Sequence, residues 1–237
     1  MPSSLPHNGP GSADRQTPET LVGGAGVSTG VLARALTLAP RIVAVDGGAN
    51  DLLAQDIVPD RLVGDLDSAS AEARTAFAEV THHIAEQDST DFAKALRTSE
   101  APWVIGVGFL GRRVDHFLAC LSEMARRPAC PQVILLGEVD CLCLLPRRVT
   151  LDIPIGSRVS LWPLGQARGR SLGLRWPVDG LVFEPAGQVG TSNRSVAPEV
   201  TIDMEGGPVA LILASDNLEA MLHGLKIDPR PVSSDVL

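Results

Sequence analysis

RIVAVDGGANDLLAQDIVPDRLVGD, residues 41–65, holds two short apolar runs, Arg41–Val45 and Arg61–Val63, and each runs into glycine and aspartate. Runs that are apolar throughout, rather than at every second position, suit strands buried on both faces. Working outward, Trp103–Val107 and Gln132–Leu136 are strands of the same kind. Between and around them Thr29–Leu38, Ala71–Ala78, Thr90–Ser99 and His116–Arg126 carry helical patterns. The alternation predicts an α/β, Rossmann-like parallel sheet with helices on both faces. Ligands of such sheets bind beyond the carboxyl ends of the strands, so the segments that follow the strands should carry the chemistry.

From Val149 the grammar changes. Arg158–Leu161, Leu181–Phe183, Glu199–Ile202 and Val209–Leu213 are short runs set between Gly- and Pro-rich turns. This predicts an all-β sandwich, with the boundary near residues 145–150. The expected division is a tail over 1–18, an α/β domain over 19–146, a β domain over 147–227 and a tail over 228–237. The first tail is rich in Pro, Ser and Gly and too poor in apolar residues to repay its ordering entropy.

The 237 residues are 44% hydrophobic with a mean hydropathy of +0.14, enough for a sizeable core. With five Phe, three Trp and no Tyr, that core must be aliphatic. A net charge of −8 argues against a nucleic-acid partner, which would call for a basic face. No run approaches the roughly 20 apolar residues of a membrane span, and the N-terminus lacks the pattern of a secretory signal. Cys120, Cys130, Cys141 and Cys143 match no zinc spacing. They read as buried thiols in a reducing compartment, which places the protein in the cytoplasm.

Four segments carry candidate chemistry. VDGGAN (45–50) sets Asp46 at a strand end, with Gly47 and Gly48 allowing close backbone approach. VGDLDS (63–68) follows the next strand. Asp65 and Asp67, two apart on extended backbone, aim the same way, and a hard cation would relieve their repulsion. In STDFAKAL (89–96), Ser89 or Thr90 can cap a helix whose positive end suits Asp91. Phe92, Ala95 and Leu96 make its buried stripe and leave Lys94 to face solvent or phosphate. GVGFLGRRVDHFLA (106–119) crowds Arg112, Arg113, Asp115 and His116 where a helix begins, a natural anion site. Its glycines satisfy G-x-G-x-x-G, but the nearest downstream acids, Glu138 and Asp140, come too late to hold a dinucleotide ribose. His82 and His83 are adjacent and diverge on a strand, so they read as surface residues. The chain has no G-x-x-x-x-G-K-[ST] loop.

In this order and spacing the four segments resemble the catalytic domain of thiamine pyrophosphokinases. LWPLG (161–165), GLRWPV (173–178) and GTSNRS (190–195) resemble that family's thiamine-binding β domain. The resemblance implies an ATP-binding α/β catalytic domain, a β-sandwich thiamine domain and a homodimer with active sites at the subunit interface. It implies Mg²⁺ on Asp65, Asp67 and Asp91. It gives Asp46, Gly47, Asn50, Thr90, Lys94, Arg112 and Arg113 to the nucleotide, Asp115 to the attacking hydroxyl, and Ser192, Asn193 and Trp176 to thiamine. The implied reaction transfers pyrophosphate from ATP to the thiamine hydroxyl and releases AMP. The chain departs from the family's pattern in Leu110-Gly111 before the arginines, and in Arg194 where an aromatic often assists thiamine. A pterin-type diphosphokinase and a non-catalytic thiamine or thiamine diphosphate binding protein are the alternatives. The Trp-bearing β domain speaks against the first and the complete acid set against the second.

Overall fold

The computed structural model describes residues 17–126 and 131–228. The expected tails lie almost wholly outside these residues, as does Cys130. Six parallel strands carry the first half: β1 (Glu19–Val22), β2 (Arg41–Val45), β3 (Arg61–Gly64), β4 (Thr81–His83), β5 (Trp103–Val107) and β6 (Gln132–Leu136). Five helices accompany them: α1 (Thr29–Leu38), α2 (Gly48–Leu53), α3 (Ala71–Ala76), α4 (Asp91–Thr98) and α5 (Val114–Arg126).

The unbroken apolar runs are explained by what covers them. Val43 and Val45 pack with Phe92 and Leu96 of α4 and Leu121 of α5. Ala44, between them, faces the other side with Leu32 of α1, Leu52 of α2 and Ala73 of α3. Both faces of β2 are therefore buried over its last three residues, where a polar side chain would lose hydration without a partner.

β1 lies in the middle, between β5 and β2. The chain runs outward from it through β2, β3 and β4, then returns to its other side for β5 and β6. The strand order thus reverses between β1 and β5, and a crevice opens above their carboxyl ends at such a reversal. β1 has only four residues, too short a run for its periodicity to declare it.

The sheet continues into the second half. A tight turn after β6 brings back β7 (Asp140–Leu144) antiparallel to it. β14 (Val209–Ala214), β9 (Arg158–Pro163) and β12 (Gly190–Arg194) extend it to ten strands, in the order β12-β9-β14-β7-β6-β5-β1-β2-β3-β4. A four-stranded antiparallel sheet, β11-β10-β13-β8, is built from β8 (Arg148–Asp152), β10 (Ala167–Leu172), β11 (Val182–Phe183) and β13 (Glu199–Gly206). Cys141, Cys143, Val159, Leu161 and Leu211 of the large sheet share one core with Val149, Leu151 and Ile202 of the small one. An α/β part is thus followed by a β part. The ten-stranded sheet takes strands from both sides of residues 145–150, where the sequence changes grammar. A last helix, α6 (Leu218–Gly224), packs on β8 and is tied to α1 by Arg34, which donates to Glu219 at 2.6 Å. No helix among the described residues is long and apolar enough to cross a membrane.

Candidate active site

Backbone approaches backbone at the strand ends. A Cβ on Gly48 would fall 1.8 Å from the Val22 carbonyl oxygen, so only glycine lets α2 start against β1. Gly108 lies at φ +72°, and a Cβ there would stand 2.3 Å from the Gly23 carbonyl. These contacts keep the turns after β1, β2 and β5 flush with one another. Above them is a cleft of about 570 Å³, with Gly23, Gly24, Gly47 and Gly108 in its lining.

Carboxylates make one side. Asp46 follows β2 at φ 44° and is buried, while Asp65 and Asp67 flank Leu66 at φ 66° after β3. One oxygen from each of Asp46, Asp65 and Asp67 lies within 4.8 Å of the others. Burial raises the Asp46 pKa against the hydrogen bonds from Ser68, and the Asp91 charge adds to the rise. Burial also works on Asp65, but the Asp67 amide at 3.2 Å, Gln87 Nε2 at 2.8 Å and the Lys94 ammonium together hold it below the usual carboxylate range. Asn50 stitches this side together: its Nδ2 donates to the Ser68 carbonyl at 2.9 Å, and its Oδ1 accepts from the Ser70 amide at 2.8 Å.

Thr90 is the N-cap of α4; its Oγ1 accepts from the Ala93 amide at 3.2 Å. Asp91, one residue on, lines the cleft but is turned toward protein donors. Its Oδ1 accepts from the Asp65 amide at 3.3 Å and from Lys94 Nζ at 2.9 Å. The carboxylate cluster therefore takes Asp46 where the sequence suggested Asp91, with Asp91 beside it. The expectation that Lys94 faces solvent or phosphate is corrected by the structure. Lys94 is 1% exposed rather than free for solvent, with Nζ between Asp91 and, at 3.5 Å, Asp65. Helical spacing puts residue 94 over the turn that carries Asp91, and a buried ammonium must lie on carboxylates to offset its lost hydration. Burial pulls its pKa down, but the two aspartates more than offset this and raise it.

The opposite side is basic: Arg112, Arg113 and His116, all exposed, line the cleft where α5 begins. Arg113 is already engaged, its Nη2 donating to Asp115 Oδ2 at 2.6 Å. That bond is the main reason the Asp115 pKa is lowered. Asp115 itself points along the surface and does not line the cleft. Gly23, Gly24, Gln87 and Phe109 also line it and escaped the sequence reading. The signal for the first two was present: LVGGAG (21–26) repeats the apolar-run-then-glycine form of VDGGAN.

Ser192, Asn193 and Trp176 gather elsewhere, around β12, and none lines the cleft. Asn193 is buried. Its Nδ2 donates to the Trp176 carbonyl at 2.7 Å, and its Oδ1 accepts from the Trp176 amide at 3.2 Å and the Arg194 amide at 2.8 Å. It thus presents a half-exposed Trp176 ring, over which the Arg175 guanidinium sits 5.2 Å from the centroid. Ser192, at φ 60° in a bulge of β12, donates its amide to Ser160 Oγ at 3.0 Å.

Comparison with known proteins finds likenesses to one family. Residues 32–135 match the model of the thiamin pyrophosphokinase catalytic domain. No curated protein sequence is similar enough to match. Among solved structures, thiamin pyrophosphokinase from Candida albicans is 19% identical with a TM-score of 0.71, covering 85% of this chain and 90% of its own. The yeast thiamin pyrophosphokinase is 17% identical with a TM-score of 0.72, covering 86% and 88%. Thiamin pyrophosphokinase from Geobacillus thermodenitrificans is 24% identical with a TM-score of 0.69, covering 84% and 98%. These likenesses show that the fold is shared across both halves. The matched segment, residues 32–135, carries β2 to β5, most of β6 and every carboxylate of the cleft, and it is similar to the thiamin pyrophosphokinase catalytic domain.

Proposed function

We propose that the chain is a thiamine diphosphokinase that moves the terminal pyrophosphoryl group of ATP onto the thiamine hydroxyl. The observation that carries this reading is the cleft of the family-matched segment, with clustered carboxylates facing arginines across a glycine-lined floor. Phosphoryl-type transfer asks a protein mainly for positioning and charge neutralisation, and the cleft supplies both signs of charge. The parallel half, reversing at β1, supports the Rossmann-like description.

Three hard oxygens within 4.8 Å, one on a buried aspartate whose pKa is raised, suit a small divalent cation such as Mg²⁺. Asp46, Asp65 and Asp67 would hold it with Asp91 alongside; bound there, it would neutralise phosphate oxygens. The chain's own residues do the rest. Lys94 fixes Asp65 and Asp91 from below, and Gln87 fixes Asp65 from the side. The backbone at Gly24 and Gly47 can follow the triphosphate closely because no side chains intervene, while the Gly23 amide is held by the Val107 carbonyl at 2.8 Å. Arg112 and Arg113 face the charge that spreads as the bond between the α-phosphate and the β-phosphorus breaks. The thiamine hydroxyl oxygen forms the new bond to the β-phosphorus, AMP departs with the α-phosphate, and the hydroxyl proton passes to solvent or to a phosphate oxygen. Asp115 lies outside the cleft lining, so in this reading it would meet the hydroxyl only where a second subunit closes the site, as an acceptor held by Arg113.

Ser192, Asn193 and Trp176 belong to the thiamine subsite in this reading. Their distance from the cleft of the same chain fits a homodimer in which one subunit's β12 region closes the other's cleft. Burial pushes the Cys120 and Cys141 thiols up to about 12, which fits unreactive core cysteines in a cytoplasmic enzyme. Product analysis tests the chemistry: ATP with thiamine yields AMP and thiamine diphosphate. ADP as the product, or faster turnover with a hydroxymethylpterin, would overturn it.

A further inference from the structure

Three parts of the chain meet at Arg112, which lines the cleft, and the reaction leaves two of them unexplained. They are Gly26 in the loop after β1, Asp51 in the first turn of α2, and Arg112 in the loop after β5. Gly26 lies at φ 86°, and a Cβ built on it would stand 3.3 Å from Arg112 Nη2, 3.4 Å from Cζ and 3.5 Å from Nε. Three such similar distances mean that the guanidinium lies flat over the glycine, in space that a side chain would take. Arg112 reaches this place from a left-handed backbone, φ 45°.

Asp51 is half-buried, and burial raises its pKa; the Arg112 charge is the foremost influence pulling it back, with the Gly26 amide next. Arg112 makes no direct ion pair or side-chain hydrogen bond among the described residues. The neighbouring arginine differs, since Arg113 spends two donors on Asp115. Arg112 is thus located by shape and by longer-range charge while its fork of N–H donors stays uncommitted. A free arginine holds about 2 kcal/mol of rotamer entropy, much of it lost when it clamps an anion. Restricting the side chain beforehand strengthens anion binding without any new contact.

We propose that Asp51 and Gly26 are positioning residues for Arg112, holding its guanidinium at the phosphate end of the cleft with its donors open to ATP. The proposal rests on the reading above that Arg112 meets the triphosphate. It makes an unusual demand on sign: removing a negative charge near a polyanion site should weaken ATP binding, because what is lost is the placement of a cation.

The test is ATP affinity by calorimetry with Mg²⁺ and no thiamine, for Asp51→Asn, Asp51→Glu, Gly26→Ala, Arg112→Ala and the double variant Asp51→Asn/Arg112→Ala. Asp51→Asn and Gly26→Ala should each raise the Kd about 3- to 10-fold, and Arg112→Ala about 10- to 100-fold. Asp51→Glu should retain most of the affinity. The double variant should bind no more weakly than Arg112→Ala alone, since Asp51 acts only through that side chain. Tighter ATP binding by Asp51→Asn would overturn the proposal, as would losses that multiply in the double variant. Gly26→Ala carries the same prediction should Asp51→Asn fail to fold. An unchanged Kd in Arg112→Ala would remove the underlying assignment of Arg112 to the triphosphate as well. Loss confined to Asp51→Asn, with Arg112→Ala and the double variant behaving independently, would sink the positioning role alone.

Discussion

Asp46, Leu66 and Arg112 hold φ of 44°, 66° and 45° without being glycine; Asp46 and Arg112 line the cleft, and Leu66 sits between Asp65 and Asp67, which line it too. Left-handed backbone at such residues costs of order 1–3 kcal/mol each and persists only where surrounding contacts enforce it. Here the enforcing contacts are the Asp46–Ser68 and Asp65–Asp67 hydrogen bonds and the packing of Arg112 on Gly26. Lys94 is the single residue on which most of this side of the cleft leans. Lys94→Met should cost about 2 kcal/mol, the usual worth of hydrogen bonds to a charged group, in part because it leaves Asp91 and Asp65 facing each other uncompensated. Urea unfolding of the two proteins decides this, and an unchanged midpoint would show that the carboxylates do not depend on the ammonium. Gly48→Ala should cost about 3 kcal/mol or more, since its methyl would overlap the Val22 carbonyl and α2 would have to move. A melting temperature equal to that of the parent would contradict the packing described for β1 and α2.

The elements bear on pH and on what could be read beforehand. The loop between β4 and α4 is pinned by Glu86, which accepts from Ser89 Oγ and from the Ser89 and Asp88 amides, and from Arg97 at 2.8 Å. Its pKa is held at about 2, chiefly by the Ser89 hydroxyl and then by Arg97. A carboxylate depressed in the folded state adds stability that is fully present above its unfolded value near 4.5 and is lost as pH falls toward 2. Melting temperatures of the protein and of Glu86→Gln should therefore differ at neutral pH and converge between about pH 4.5 and 2. A constant gap across that range would show that Glu86 does not titrate with the fold. The strands β2, β3, β5 and β6 and the helices α1 and α4 were legible in the sequence, because runs buried on both faces and capped amphipathic turns leave strong local patterns. β1 and β7 were not, since each is placed by its neighbours in the sheet. Among site residues, Asp65 and Asp67 were legible as a pair from their spacing, and Asp91 joined them only through the family resemblance. That Asp46 stands with Asp65 and Asp67 was not, because it depends on β2 and β3 lying side by side in the sheet. Gln87 was missed for the same reason: only the pairing of β3 with β4 brings its loop over Asp65.

At the scale of the molecule, a continuous ten-stranded sheet sets the catalytic cleft and the β12 region at a fixed separation. A complete site in one subunit would need that separation to close. In the proposed dimer a second subunit closes it, so each site draws carboxylates from one chain and Asn193 and Trp176 from the other. Co-refolding equal amounts of Asp67→Ala and Asn193→Ala, each inactive alone, should then restore about a quarter of the parent activity, because half the dimers are mixed and each holds one intact site. Activity near zero in the mixture would place both residue sets in the same chain's site. The central claim is tested most directly by AMP release from ATP and Mg²⁺, with and without thiamine, by the parent protein and by Asp67→Ala. The account predicts thiamine-dependent AMP from the parent and a loss of about 100-fold or more in the variant. Thiamine binding seen by calorimetry without any release of AMP would contradict it and make the chain a binding protein.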